Sequence, residues 1–182
     1  HHRKVRYSIV VYLLVLGIIA WGGFNLHFGT AGRTLSTGLF AKLVKQQIEQ
    51  EPDNPELYVM LGDLYQSSQK HADAISAYQS ALSLNPHSAR ALNNLAWLFA
   101  TADEKPFYRP EKALALAQKA AGISSQSHIL DTLAESYYVN GRYEKAVSVA
   151  EKALSEATDK HAYYRDQLEK FRKAARQDQP EQ

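Results

Sequence analysis

The sequence contains no cysteine, which excludes disulfide bridges, thiolate nucleophiles and thiolate metal sites. Its formal net charge is only +2, too small an excess to mark a nucleic-acid surface. From residue 35 onward strand-like alternation of Val, Ile and Thr is missing, and Leu, Ala, Gln, Glu and Lys dominate; this composition predicts an all-helical body. Glycine-rich phosphate loops, nucleophile elbows and His-Glu-x-x-His are also absent, so no enzyme class is indicated and no cofactor or metal is expected. With 45% hydrophobic and 22% charged residues, the chain is globular in composition.

One long uncharged run stands apart. Residues 7–24 follow Arg3, Lys4 and Arg6 and carry no charge over eighteen positions. As a helix they would cover about 27 Å, close to a hydrocarbon core of about 30 Å. Tyr7 and Trp21 lie near the ends, where amphipathic rings favour the membrane interface. The run predicts a single transmembrane helix, with a cleaved signal peptide as the competing reading. Gly17, Gly22 and Gly23 would let a partner helix approach, with Trp21 beside them. The basic N-terminus predicts a cytoplasmic start and a body across the membrane, which in a bacterium means an inner-membrane protein with a periplasmic domain. Residues 25–38 read as a juxtamembrane linker.

The stretch from Pro55 to Pro86 is the most patterned. Tyr58, Leu61, Gly62, Tyr65, Ala74, Tyr78, Ala81 and Pro86 occupy the eight characteristic places of a helix-turn-helix unit of about 34 residues. On these residues the chain resembles the tetratricopeptide repeat (TPR). The physical reason for such a pattern is a helix pair in which Gly62, Ala74 and Ala81 permit close backbone approach while the aromatics fill the space between. Leu92, Leu95, Ala96 and Phe99 repeat the register, with Ala113, Ala117 and Ala120 delayed by an insertion at residues 101–110. Leu130, Leu133, Ala134, Tyr137, Gly141, Ala146, Ala150 and Ala153 form a third unit. The resemblance implies repeats at about 55–88, 89–126 and 127–158, within a TPR domain of residues 39–177.

Leu39, Phe40, Leu43, Val44 and Ile48 predict a helix near residues 36–50, read as a half repeat covering the first full unit; an interfacial amphipathic helix is the alternative. Residues 159–175 predict a polar-backed capping helix, and 178–182 a frayed tail. The expected fold is thus an all-α superhelical solenoid of a half repeat, three full repeats and a cap, preceded by the membrane helix.

TPR proteins generally hold peptides on the concave surface formed by the first helix of each repeat. Position by position, the resemblance places Glu56, Val59, Asp63 and Gln66 there, then Arg90, Asn93, Asn94 and Trp97, then His128, Asp131, Glu135 and Tyr138. The two-carboxylate clamp of chaperone-binding members needs several Lys and Arg residues at these places. Only Arg90 is basic, so an acidic chain terminus is not the expected ligand. Trp97 either anchors a partner or packs on a neighbouring helix. Phe107 and Tyr108 in the insertion either bind a partner or tuck back onto the helices. His128, Asp131 and Glu135 share a helical face that could hold a divalent ion, though a polar groove wall is the expected role.

These features imply a membrane-anchored scaffold or assembly protein for a multi-subunit membrane complex. Its partners would be integral membrane subunits and an extracytoplasmic segment. The alternatives are a permanent accessory subunit of a respiratory or redox complex, or a factor of the cytochrome c maturation type.

Overall fold

The computed structural model describes residues 30–178. The chain divides into two units, His1–Ser36 and Thr37–Gln182, and the second contains the helical hairpins. The segment 7–24, with Gly17, Trp21 and Gly22, lies outside the described residues. Among the described residues no helix is long and apolar enough to cross a membrane.

Eight helices and no strand make up the described chain: α1 Thr30–Gln50, α2 Pro55–Ser67, α3 His71–Leu84, α4 Ala89–Thr101, α5 Pro110–Ile123, α6 Ser127–Val139, α7 Tyr143–Ser155 and α8 His161–Asp178. Helices α2 and α3, α4 and α5, and α6 and α7 form three hairpins, and each hairpin packs on the next. This is an all-helical solenoid of stacked hairpins, the architecture that the TPR resemblance implies.

Local chemistry sets the boundaries. Asn54 caps α2 by accepting a hydrogen bond from the Glu56 backbone N–H at 3.2 Å, and Pro55 opens the helix, where its missing N–H costs nothing. Ser88 caps α4 through the Ala91 N–H. Pro110 and Glu111 open α5. The α6–α7 turn passes through Gly141 at φ +69°. The equivalent turn after α2 forces Gln69 into the same left-handed region at φ +58°, which carries a steric cost that glycine avoids.

The small residues are the seam of the stack. Ala74, Ala81, Ala96, Ala113, Ala120, Ala134 and Ala146 are completely buried, and Ala153 is nearly so. At Gly62 the approach is closest: a Cβ there would lie 2.4 Å from the Tyr78 ring. Tyr78 is itself fully buried, so the ring has no free space to move into.

Helix α1 takes in residues 30–38, most of the stretch read as a linker at 25–38; residues 25–29 lie outside the described residues. No proline interrupts that stretch, and extension of an existing helix is far easier than nucleation. Val44, with Ala41 and Ile48, packs on Leu57, Leu61 and Ala77, so this segment does cover the first hairpin. The packing face differs from the expected one, however. Leu39 and Leu43 are exposed, because residues 41, 44 and 48 form the inward stripe and 39 and 43 fall outside it.

Substituting Gly62→Ala should drive a methyl group into the Tyr78 ring and cost about 1–3 kcal/mol; thermal or urea unfolding of the variant against the parent checks this.

Candidate functional site

The first helices of the hairpins, α2, α4 and α6, present polar residues along one side, and α8 continues the row. Between them lies a cavity of about 460 Å³ lined by Gln66, Asn93, Asn94, Trp97, His128, Asp131, Thr132, Lys160, Tyr163 and Tyr164. Six of these (Gln66, Asn93, Asn94, Trp97, His128 and Asp131) are among the residues expected from the sequence. Phe107 and Tyr108 are not part of it, and neither are Arg90 and Asp63.

Asp63 is the hub that fixes α2 against α4. Its Oδ1 accepts from the Tyr78 hydroxyl at 2.7 Å and from Asn94 Nδ2 at 2.7 Å. Its Oδ2 takes the Arg90 guanidinium, which also lies 3.5 Å from Glu56. The Tyr78 hydroxyl sits 2.8 Å from the Gln66 amide oxygen as well. Burial, then the neighbouring Asp63 carboxylate, raise the Tyr78 phenol well above its ordinary pKa. It therefore stays neutral and serves as a donor. Asp63 and Arg90 thus act as scaffolding beside the groove, and through Asp63 they fix Asn94 in its wall.

Val59 leaves the concave set altogether, being fully buried in the central core. Asp131 and Glu135 are also buried, because α8 covers them. The Tyr163 hydroxyl donates to Asp131 Oδ2 at 2.8 Å, and Lys170 Nζ donates to Glu135 Oε2 at 2.6 Å. The same ammonium lies 4.5 Å from the centre of the Tyr138 ring, and Tyr138 packs against Phe171 at 5.4 Å. Asp131 and Glu135 thus face internal partners rather than a shared ion. Among the described residues no group of three His, Cys, Asp or Glu side chains is arranged to hold a metal.

Helix α8 is more than the cap that its polar back predicts: Tyr163 and Tyr164 at its start, with Lys160 just before it, line the groove, which helical periodicity alone does not reveal. The signal was present: Tyr164 and Phe171 lie 34 residues after Leu130 and Tyr137, so α8 repeats the register of a first helix. Tyr164, Leu168, Phe171 and Ala175 are buried, with Phe171 and Leu168 against Ala134, Ala146 and Ala150 and Tyr164 against Leu130 and Ala153.

The insertion between α4 and α5 folds back. Phe107 packs against the central core, with its ring 5.5 Å from that of His71. His71 Nδ1 is 3.1 Å from Glu104, and the Arg109 N–H donates to the Phe99 carbonyl at 2.8 Å. Tyr108, by contrast, is 41% exposed. Asn140 Nδ2 ties the next hairpin to this turn by donating to the Pro110 carbonyl at 2.8 Å.

Residues 59–128 match the family model described as Tetratricopeptide repeat, which agrees with the hairpins and with the buried small residues. No curated protein matches the sequence. Among solved structures, a thermophilic TPR protein of Thermus thermophilus is 21% identical, with 78% of this chain and 75% of that one covered and a TM-score of 0.59. The type IV pilus biogenesis factor PilW is 15% identical, covering 78% and 76%, with a TM-score of 0.59. MamA from Desulfovibrio magneticus is 14% identical, covering 79% and 88%, with a TM-score of 0.59. At these identities the similarity is one of fold.

Burial raises the Asp131 carboxyl above its ordinary value of 3.8, against the lowering effect of the Tyr163 hydrogen bond; the nearby Glu135 raises it further. The folded protein then binds this proton more readily than the unfolded chain. The contribution of Asp131 to stability must fall as pH rises above that ordinary value and return on acidification. Asp131→Asn keeps an acceptor for Tyr163 but cannot ionise. Its stability relative to the parent should therefore be greatest near neutral pH and shrink towards about pH 4, as measured by denaturant unfolding across that range; a difference independent of pH would contradict the assignment.

Proposed function

We propose that this protein is a scaffold that grips an extended segment of a partner protein in the groove between α4, α6 and α8, and that residues 7–24 tether it to a membrane where a multi-subunit complex is assembled. The groove carries the first half of this reading. It brings a half-buried Trp97 and the aromatic rings of α8 together with amide side chains on one concave side, the mixture of apolar area and hydrogen-bonding groups that protein interfaces use. The tether rests on the uncharged run behind Arg3, Lys4 and Arg6, whose length and flanking charges suit a membrane helix with the solenoid on the far side, periplasmic in a bacterium.

The charges along the first helices are mostly paired within the protein, as Arg90 with Asp63 and Lys170 with Glu135. This favours a partner recognised by shape and apolar contact over one recognised by a charged terminus.

Recovery of partner proteins in mild detergent, identified by mass spectrometry, tests both halves. The full chain should recover a membrane complex. A chain lacking residues 1–24 should recover it several-fold less, and Trp97→Ala should lose it even with the tether in place. Equal recovery without residues 1–24 would contradict the tether, and equal recovery with Trp97→Ala would contradict the groove.

A further inference from the structure

One polar side chain that lines the groove carries a buried atom without a partner. Asn93 is only 6% exposed and lines the cavity, yet its Oδ1 is buried without a hydrogen bond. Its orientation is fixed by a relay. Asn94 Nδ2 is held by Asp63, which turns Asn94 Oδ1 towards Asn93 Nδ2 at 3.2 Å. Reversing the Asn93 amide would bring two carbonyl oxygens together, so the acceptor stays where it is. A buried acceptor left unmatched is unfavourable, and an N–H delivered into the cavity would relieve it.

The surroundings narrow what can deliver that N–H. Trp97 and Tyr163 supply aromatic surface, and Tyr163 already donates its proton to Asp131. His128 is held below its ordinary pKa by partial burial and by the Lys160 ammonium, which keeps the imidazole neutral. Lys160 and Asp131 line the cavity with opposite signs, so neither an acidic nor a basic group is singled out. A volume of about 460 Å³ accommodates one large side chain and the backbone that carries it.

Building on the groove reading, we propose that this cavity is an anchor pocket for one aromatic or large aliphatic side chain of an extended peptide, with a peptide N–H donated to Asn93 Oδ1. Specificity then comes from a single apolar anchor and a backbone bond, and depends little on ionic strength.

Selection from a displayed library of random dodecapeptides against the full chain in detergent tests this. The enriched sequences should share one aromatic or large aliphatic residue and no common charged one. A synthetic representative should bind with little change between low and high salt, and about tenfold more weakly to Trp97→Ala and to Tyr163→Ala. Asn93→Leu, which removes the acceptor while preserving bulk, should also weaken it. Tyr163 is exposed, so its variant keeps the test readable if Trp97→Ala fails to fold. Enriched peptides that share a charged cluster and dissociate at high salt would overturn the apolar anchor and leave the groove reading standing. Enrichment of no peptide, or binding unchanged in Trp97→Ala and Tyr163→Ala, would overturn both.

Discussion

Close approach between paired helices is the constraint on which everything else in this molecule depends. Gly62 lies so near the Tyr78 ring that no side chain fits between them, and alanines hold the corresponding places in the later hairpins with no exposed surface. Bringing the helices this near sets the pitch of the stack, which in turn aligns α2, α4, α6 and α8 side by side. The Tyr78 hydroxyl, pressed against α2 by the same contact, reaches Asp63, and Asp63 then orients Asn94 and Arg90 on the next hairpin. A packing requirement at one glycine thus becomes an oriented amide in the groove two helices away.

The electrostatics follow a similar logic. Carboxylates on the concave side are engaged by residues of the neighbouring first helix: Asp63 by Arg90, Asp131 by Tyr163, Glu135 by Lys170. Each link spans about one repeat in sequence, so these bonds join successive units rather than stabilising a single helix. Paired in this way, the charges do little to steer a ligand, and the apolar surface of Trp97 and Tyr163 with the unmatched Asn93 oxygen is left as the distinctive chemistry.

The three hairpins were legible in the sequence because Tyr58, Gly62, Ala74 and their successors answer a steric demand that few residue types meet. The turn at residues 101–110 was legible for the same reason, since it displaces that register. What escaped was coverage. Helical periodicity shows that Asp131 and Glu135 share a face, but not that α8 lies over it; that depended on recognising Tyr164 and Phe171 as a fourth occurrence of the pattern. In α1 the apolar residues outnumber one stripe, and choosing Val44 and Ile48 over Leu39 and Leu43 required the surface of α2 to be in place. The unmatched Asn93 oxygen arises from three residues on two helices and one relay of bonds, which no linear motif encodes.

Helix α8 must be a fixed wall of the groove, rather than a detachable cap, for the anchor pocket to exist in the free protein. Hydrogen exchange of the full chain, followed amide by amide, tests this most directly. Amides of residues 164–175 should be protected to the same degree as those of α6, because Tyr164, Leu168 and Phe171 are buried in the same core. Exchange of that segment at the rate of a fraying terminus, with α6 still protected, would contradict it.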